Sequence, residues 1–394
     1  MPETSSATEG RGRVARVLRI IGLVVSALLV AWLLIEIVPR LVDLPGLTRS
    51  ELSPAYLVPN SQRSEAHPYL AYTLREGWQA RPEDYGKPEN YRPASHNSLG
   101  FRGPETTWQK PPGTYRIVCI GGSSVYGHTE SSDEATWPAR LQEHLNAASP
   151  RAKVEVINGG CSGYSTFEML INLELRLLEF EPDLVIVYEA INDVRCALYS
   201  KDDPHPRPDN THWRAVWPVY RPSPMEEVLE RSYAYLIWRR YCTDYMRQRA
   251  ELGFYAIVGY DPKRLDLYVE QGPLPEQGFD NFRRNLVSII GVARAHGTQV
   301  LLSTQAMWFR HLEGSPSKEQ QIEGLLRARE ILRAVADAQQ VPLADPAAVI
   351  EAAAEEEFLR AGTQTLFAHE VHLTDAGSDI LAKTLASRIQ PLIP

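Results

Sequence analysis

The chain has 394 residues, 44% hydrophobic and 23% charged, with a formal net charge of -8. That length suits a single α/β domain with an N-terminal appendage, and the ordinary composition and acidic balance give no electrostatic basis for binding nucleic acid.

Residues 1–19 read as a polar tail carrying Arg11, Arg13, Arg16 and Arg19. Behind them an uncharged run from Ile20 to Ile35 continues past Glu36 through Ile37 and Val38. About 19 residues rising 1.5 Å each come close to one hydrocarbon thickness, so 20–38 is expected to be a transmembrane helix. Arginines crowd its N-terminal side and only Arg40 follows nearby, which puts the N-terminus in the cytoplasm and everything after Arg40 outside the membrane, periplasmic or extracellular. A cleaved signal peptide is the rival reading. The run is long for such a peptide, and no A-x-A-like site follows it.

Residues 41–112, rich in Pro, Tyr and Arg, read as a linker and an irregular or short-stranded leader. From 113 to 394 short apolar runs alternate with amphipathic stretches. Strands are expected at 115–121, 154–157, 184–189, 299–304 and 341–345, and helices at 134–147, 166–180, 279–296, 318–339 and 373–389. That alternation implies a three-layer α/β/α sandwich around a mostly parallel five-stranded sheet. Residues 195–278 interrupt the rhythm as an insertion, with a helix expected from Met225 to about Leu252. Its aromatic residues, among them Trp213, Trp217, Tyr220, Tyr233, Tyr235, Trp238, Tyr241 and Tyr245, either pack the insertion onto the domain or form a substrate wall.

Cys119, Cys161, Cys196 and Cys242 show no C-x-x-C spacing, so neither a zinc cluster nor a thioredoxin-like site is supported. Cys119 lies in an apolar run and reads as a buried small hydrophobe. Cys161 and Cys196 each follow an expected strand and are the candidate pair for a disulfide in an exported domain. No metal and no cofactor is expected.

In open α/β sheets reactive groups gather beyond the C-terminal ends of the strands. After the first strand comes GGSSVYG, 121–127, with a serine at the tip of a glycine turn. NGGCSGYST, 158–166, follows the second, and EAINDV, 189–194, brings the amide of Asn192 to the same edge. Singly, each reads as well as a plain turn or cap. Neither phosphate-loop pattern, G-x-x-x-x-G-K-[ST] or G-x-G-x-x-G, is present.

In this order, the loops and the segment AHEVHLTDAG, 368–377, resemble the SGNH (GDSL-like) hydrolase superfamily over roughly residues 115–390. Gly121 to Ser124 match the first block, Asn158 to Gly163 the second, Ala190 to Asp193 the third, and His369 to His372 the last. The stretch HNSLGFRG, 96–103, is similar to a leader seen in larger members. The resemblance implies an SGNH-hydrolase, flavodoxin-like fold and an ester-cleaving site with Ser123 as nucleophile and His372 as general base. It also implies an oxyanion hole made of the backbone N–H groups of Ser123 and Gly163 and the side-chain amide of Asn192. These roles are physically sound: a serine hydroxyl needs a neighbouring base, and each donor aimed at the oxyanion contributes about 3 to 4 kcal/mol.

Two positions depart from the pattern. Ala190 stands where glycine is common, a difference of one methyl. His369 stands where the family has the Asp that orients the base. His372 then works in a dyad, its ring N–H taken by a backbone carbonyl or by neutral His369; or Glu370 or Asp375 supplies the carboxylate; or the site is inactive. Together these observations lead to a membrane-anchored serine esterase or acylhydrolase acting outside the cytoplasmic membrane on an acylated small molecule, lipid or glycan. The alternatives are an O-acyltransferase on an envelope polysaccharide and a non-catalytic glycan-binding descendant of the fold.

Overall fold

The computed structural model describes residues 5–42, 44, 63–65, 67–70, 72–82, 91–148, 152–197, 224–241, 274, 276–312 and 318–394. The chain divides into two compact units, one of residues 1–59 with 221–251 and the other of residues 60–220 with 252–394.

In the first unit, α1 (Ser5–Leu41) runs through the apolar stretch and beyond both of its ends. Its apolar side chains stay exposed all round, Leu23 at 71% and Leu28 at 65% among them. Glu36, inside the run, is buried and fully engaged. It pairs with Arg40 at 2.7 Å and accepts the Tyr233 and Ala234 N–H groups at 3.1 Å and the Ser232 hydroxyl. Those bonds cap a short helix of the insertion. The single helix expected from Met225 is instead two, α6 (Pro224–Leu229) and α7 (Tyr233–Tyr241). The physical reason for the break is Ser232, whose hydroxyl caps Tyr235 N at 3.2 Å and so starts a new helix there. Residues 198–223 and 242–273, with Trp213, Trp217, Tyr220, Tyr245 and Cys242, lie outside the described residues.

The second unit opens with a two-residue antiparallel pair, β1 (Ser64–Glu65) and β2 (Thr73–Leu74), in the leader. Its sheet is the expected one: β3 (Thr114–Gly121), β4 (Lys153–Asn158), β5 (Leu184–Tyr188), β6 (Gln299–Ser303) and β7 (Leu343–Ala344). All pairings are parallel, in the order β4-β3-β5-β6-β7. β5 is buried along its whole length, which is why it reads as a continuous apolar run. β4, at one edge, has its outward N–H groups covered: Asn146 accepts from Val154 and Gln142 from Val156.

Helices cover both faces. On one lie α3 (Trp137–Ala148), α10 (Pro346–Ala361) and α11 (Asp375–Ile389), sharing a core with Ile117, Cys119, Ile186 and Tyr188. On the other lie α4 (Thr166–Leu175), α8 (Glu276–Ala295) and α9 (Lys318–Gln339). The sequence reading lacks α10, because an Ala- and Glu-rich stretch directly after β7 shows little apolar periodicity. Its boundaries carry signals nonetheless, a proline at the first turn and Gly362 in the left-handed conformation at the end. It also lacks two short helices at strand ends, α2 (Ser123–Tyr126) and α5 (Ile191–Ala197). Cys119, Cys161 and Cys196 are buried thiols outside any disulfide, so the candidate Cys161–Cys196 bridge is not made.

Candidate active site

The C-terminal ends of β3, β4 and β5 bring the three loops together at one edge of the sheet. Ser123 is the first residue of α2, directly after β3. The turn before it has no room for a side chain, since a Cβ on Gly122 would lie 2.3 Å from the Asn192 amide nitrogen and 2.5 Å from a Glu189 carboxylate oxygen.

His372 Nε2 lies 2.8 Å from Ser123 Oγ, although the two residues are 249 positions apart. Flanking bonds set this approach. Ser124 Oγ donates to the Val371 carbonyl at 3.0 Å and Thr129 Oγ1 to the Leu373 carbonyl at 2.6 Å, so the chain on both sides of His372 is tied to the chain following Ser123. Burial, the largest influence, takes the His372 imidazole down to about 4; the Glu370 charge works upward and Arg195 downward. At neutral pH His372 is therefore unprotonated, the form a general base needs.

The surroundings of His372 separate the candidate acids. Asp375 is engaged elsewhere, accepting Ser131 N at 2.8 Å and Ser131 Oγ at 2.5 Å. His369 is exposed, its ring centroid 6.1 Å from that of His372, and its backbone N–H donates to the His372 carbonyl at 3.4 Å. Glu370 pairs with Arg195 at 2.7 Å. Burial opposes its ionisation, but the Arg195 charge, its own backbone N–H and the Arg195 hydrogen bond bring it down to about 2. A permanent carboxylate thus acts on His372 through space, partly offset by its arginine.

Gly163 adopts φ 82°, the left-handed region that only glycine enters readily. Asn192 is buried beside it, with both amide hydrogens in use: one goes to the Tyr164 carbonyl at 2.9 Å and one to Glu189 Oε2 at 3.2 Å. In this arrangement Asn192 holds the second loop, and it reaches an oxyanion only by exchanging one of these two bonds.

Several residues that the sequence reading did not single out complete the site. Glu189, fully buried, accepts from Ala190 N and Asn192 N on one oxygen and from Gly122 N and the Asn192 amide on the other. Burial pushes its carboxyl up to about 8, against these N–H donors, which favour the ionised form. Gln305 joins the third loop to the first by accepting Ala190 N and Ile191 N and donating to Ser124 Oγ at 3.1 Å. His128 lies with its ring centroid 5.2 Å from that of His372, and Arg63 from the leader donates to its Nδ1 at 3.2 Å. The one signal for any of these in the sequence is position: Glu189 and Gln305 each sit just past a strand. Burial pushes the Cys161 thiol up to about 12, which leaves it unreactive beside the site. Among the described residues no group of three or more His, Cys, Asp or Glu side chains is placed to hold a metal ion.

A sequence model of the GDSL-like Lipase/Acylhydrolase family matches residues 119–380, which contain every loop just described. The chain belongs to this family. It is accordingly a hydrolase of ester bonds. No curated protein matches the chain. Among solved structures, an acetylxylan esterase named AlAXEase is 16% identical over 69% of this chain and 98% of its own, with a TM-score of 0.41. A catalytic mutant of Axe2, an acetylxylan esterase from Geobacillus stearothermophilus, is 17% identical over 70% of this chain and 94% of its own, with a TM-score of 0.38. LAE5, an alpha/beta hydrolase enzyme from the metagenome of Lake Arreo, Spain, is 14% identical over 71% and 96%, with a TM-score of 0.41.

Proposed function

We propose that this acylhydrolase is a membrane-anchored serine esterase that works outside the cytoplasmic membrane through Ser123 and His372. The observation that carries the reading is the 2.8 Å contact between His372 Nε2 and Ser123 Oγ, in a site where burial keeps the imidazole neutral. Ser123 Oγ attacks the ester carbonyl as its proton passes to His372 Nε2. The oxyanion is met by the backbone N–H groups of Ser123 and Gly163, with Asn192 the third donor once one of its two bonds is exchanged. His372 then protonates the departing alcohol, and water, activated in the same way, releases the acid and restores Ser123. Glu370 supplies negative charge near the imidazolium from the position two residues before His372, in place of the Asp expected at 369.

Support for the anchor comes from α1. A helix whose large apolar residues are exposed, with the one acid of its apolar run paired to Arg40, suits lipid surroundings. The substrate is then an acylated lipid or glycan within reach of the outer membrane face.

Labelling of the full chain by a fluorophosphonate, together with hydrolysis of p-nitrophenyl acetate and acetylated glycans, tests the reading. Both activities are expected to disappear in Ser123→Ala. Turnover that survives this substitution removes Ser123 from the role, and glycan binding without labelling or turnover would mark a binding protein.

A further inference from the structure

The leader reaches the site from outside the segment that matches the family. Tyr72, immediately before β2, is 4% exposed and donates its phenol to the carbonyl of Ser162. The Tyr164 hydroxyl in turn donates to the Tyr72 carbonyl at 2.5 Å, and the two rings pack with centroids 5.7 Å apart. Arg63, also from the leader, donates to Ser162 Oγ at 2.8 Å.

The carbonyl of Ser162 and the N–H of Gly163 belong to one peptide unit. In a planar trans peptide the two point in opposite directions, and the described chain contains no cis bond. Holding the carbonyl therefore aims the N–H. Such a hold is needed here, because a peptide next to a glycine at φ 82° has no Cβ to bar its rotation. A hydrogen bond to the carbonyl also polarises the same unit and makes its N–H a better donor.

We infer that Tyr72 is a positioning residue that locks the Ser162–Gly163 peptide with its N–H turned toward the oxyanion, which makes the leader part of the catalytic apparatus. This rests on the Ser123 reading above. A phenol that merely satisfies a buried carbonyl would affect folding and leave the chemistry of each folded molecule alone.

Tyr72→Phe keeps the ring and its packing and removes only the hydroxyl. In the full chain in detergent, kcat for p-nitrophenyl acetate is expected to fall roughly ten- to hundred-fold, less than the ~10²–10³ that follows loss of an oxyanion donor itself. KM should change by less than about two-fold, because the lock acts on the transition state. The rate of fluorophosphonate labelling at Ser123, counted per folded molecule well below the thermal midpoint, should fall by a similar factor. Unchanged kcat and labelling, or a lower thermal midpoint with unchanged labelling per folded molecule, would overturn the inference while leaving the Ser123 reading intact. Turnover that persists in Ser123→Ala would remove both.

Discussion

Glu189 offers the sharpest test of how the site is held together. In Glu189→Gln one carboxylate oxygen becomes an NH2 group. Whichever oxygen is replaced, two buried donors then face another donor: Ala190 N and Asn192 N, or Gly122 N and the Asn192 amide. Each such loss costs about 1–3 kcal/mol, so the pair costs about 2–6 kcal/mol. For a unit of this size that lowers the thermal midpoint by about 3–9 °C. The full chain in detergent, followed by tryptophan fluorescence on heating at pH 6 and pH 9, reads the difference; kcat should fall with it, since Gly122 and Asn192 flank the nucleophile. The two pH values separate the opposing influences on this carboxyl. If the donors prevail, Glu189 is ionised at both, and the gap between native and variant stays constant. If burial prevails and the carboxyl titrates at about 8 in the folded chain, well above the ordinary 4.5, the native chain loses stability from about pH 4.5 up to about pH 8 and no further beyond it, while the variant does not. Roughly 3 kcal/mol of that loss, from two pH units at about 1.36 kcal/mol each, falls between pH 6 and pH 9. A gap that closes or reverses between pH 6 and pH 9 would show burial prevailing, and a variant as stable as the native chain at both pH values would refute the reading of Glu189 as the clamp between the first and third loops.

With His372 brought down to about 4, the acid limb of kcat/KM is expected near pH 4, and a limb near 6.5 would mean that the free imidazole is not buried as described. Glu370→Gln removes the charge that raises His372 and leaves Arg195 uncompensated, so the limb should move to still lower pH and kcat should fall, by up to about ten-fold because Arg195 already offsets much of that charge. His369→Asp restores a carboxylate beside the base and should raise kcat about ten-fold or more, the lost acid of a serine triad costing about 10⁴ in turnover; no gain would show that His369 or Glu370 already orients the ring. An alkaline phosphatase fused after Arg40 should be active and a β-galactosidase at the same point inactive, and the reverse pattern would place the catalytic unit in the cytoplasm.

The sheet was legible in the sequence because its strands are short apolar runs bounded by turn residues, and a strand buried on both faces leaves no other pattern. α10 was not, since Ala353, Ala354 and the glutamates after them give a weak stripe, and its helical character lies in its caps. Of the proposed site, Ser123, Gly163, Asn192 and His372 were readable as local blocks at ordered spacing. Glu189, Gln305, His128 and the Glu370–Arg195 pair were not, because each takes its meaning from a partner far away in the chain. Arg195 lies 175 positions from Glu370, and neither neighbourhood carries a trace of the other. His369 shows the limit from the opposite side: local spacing identified it as a departure, but whether a carboxylate stands elsewhere near His372 depends on tertiary structure alone.

The same distinction explains why the leader, read from the sequence as irregular or short-stranded, matters to the site. α2 is a single turn, too short to persist without tertiary support. Its last residue, Tyr126, is gripped from the leader on several sides. Arg63 and Arg102 lie over its ring at 4.5 and 5.1 Å, and His96 Nε2 meets its hydroxyl at 3.0 Å. Arg102 further donates to the Tyr126 and Gly127 carbonyls, and its guanidinium is fixed by Asp133 at 2.7 Å. Each arginine–aromatic contact at such depth is worth about 0.5–2 kcal/mol, enough in sum to hold one turn of helix. Ser123 is three residues before Tyr126 on that turn, so the direction of its hydroxyl depends on groups that lie before the family-matched segment begins at residue 119. Tyr72 on the second loop and Arg63 with Arg102 on the first therefore act alike, each fixing from outside a glycine-rich element that its own sequence leaves free to turn.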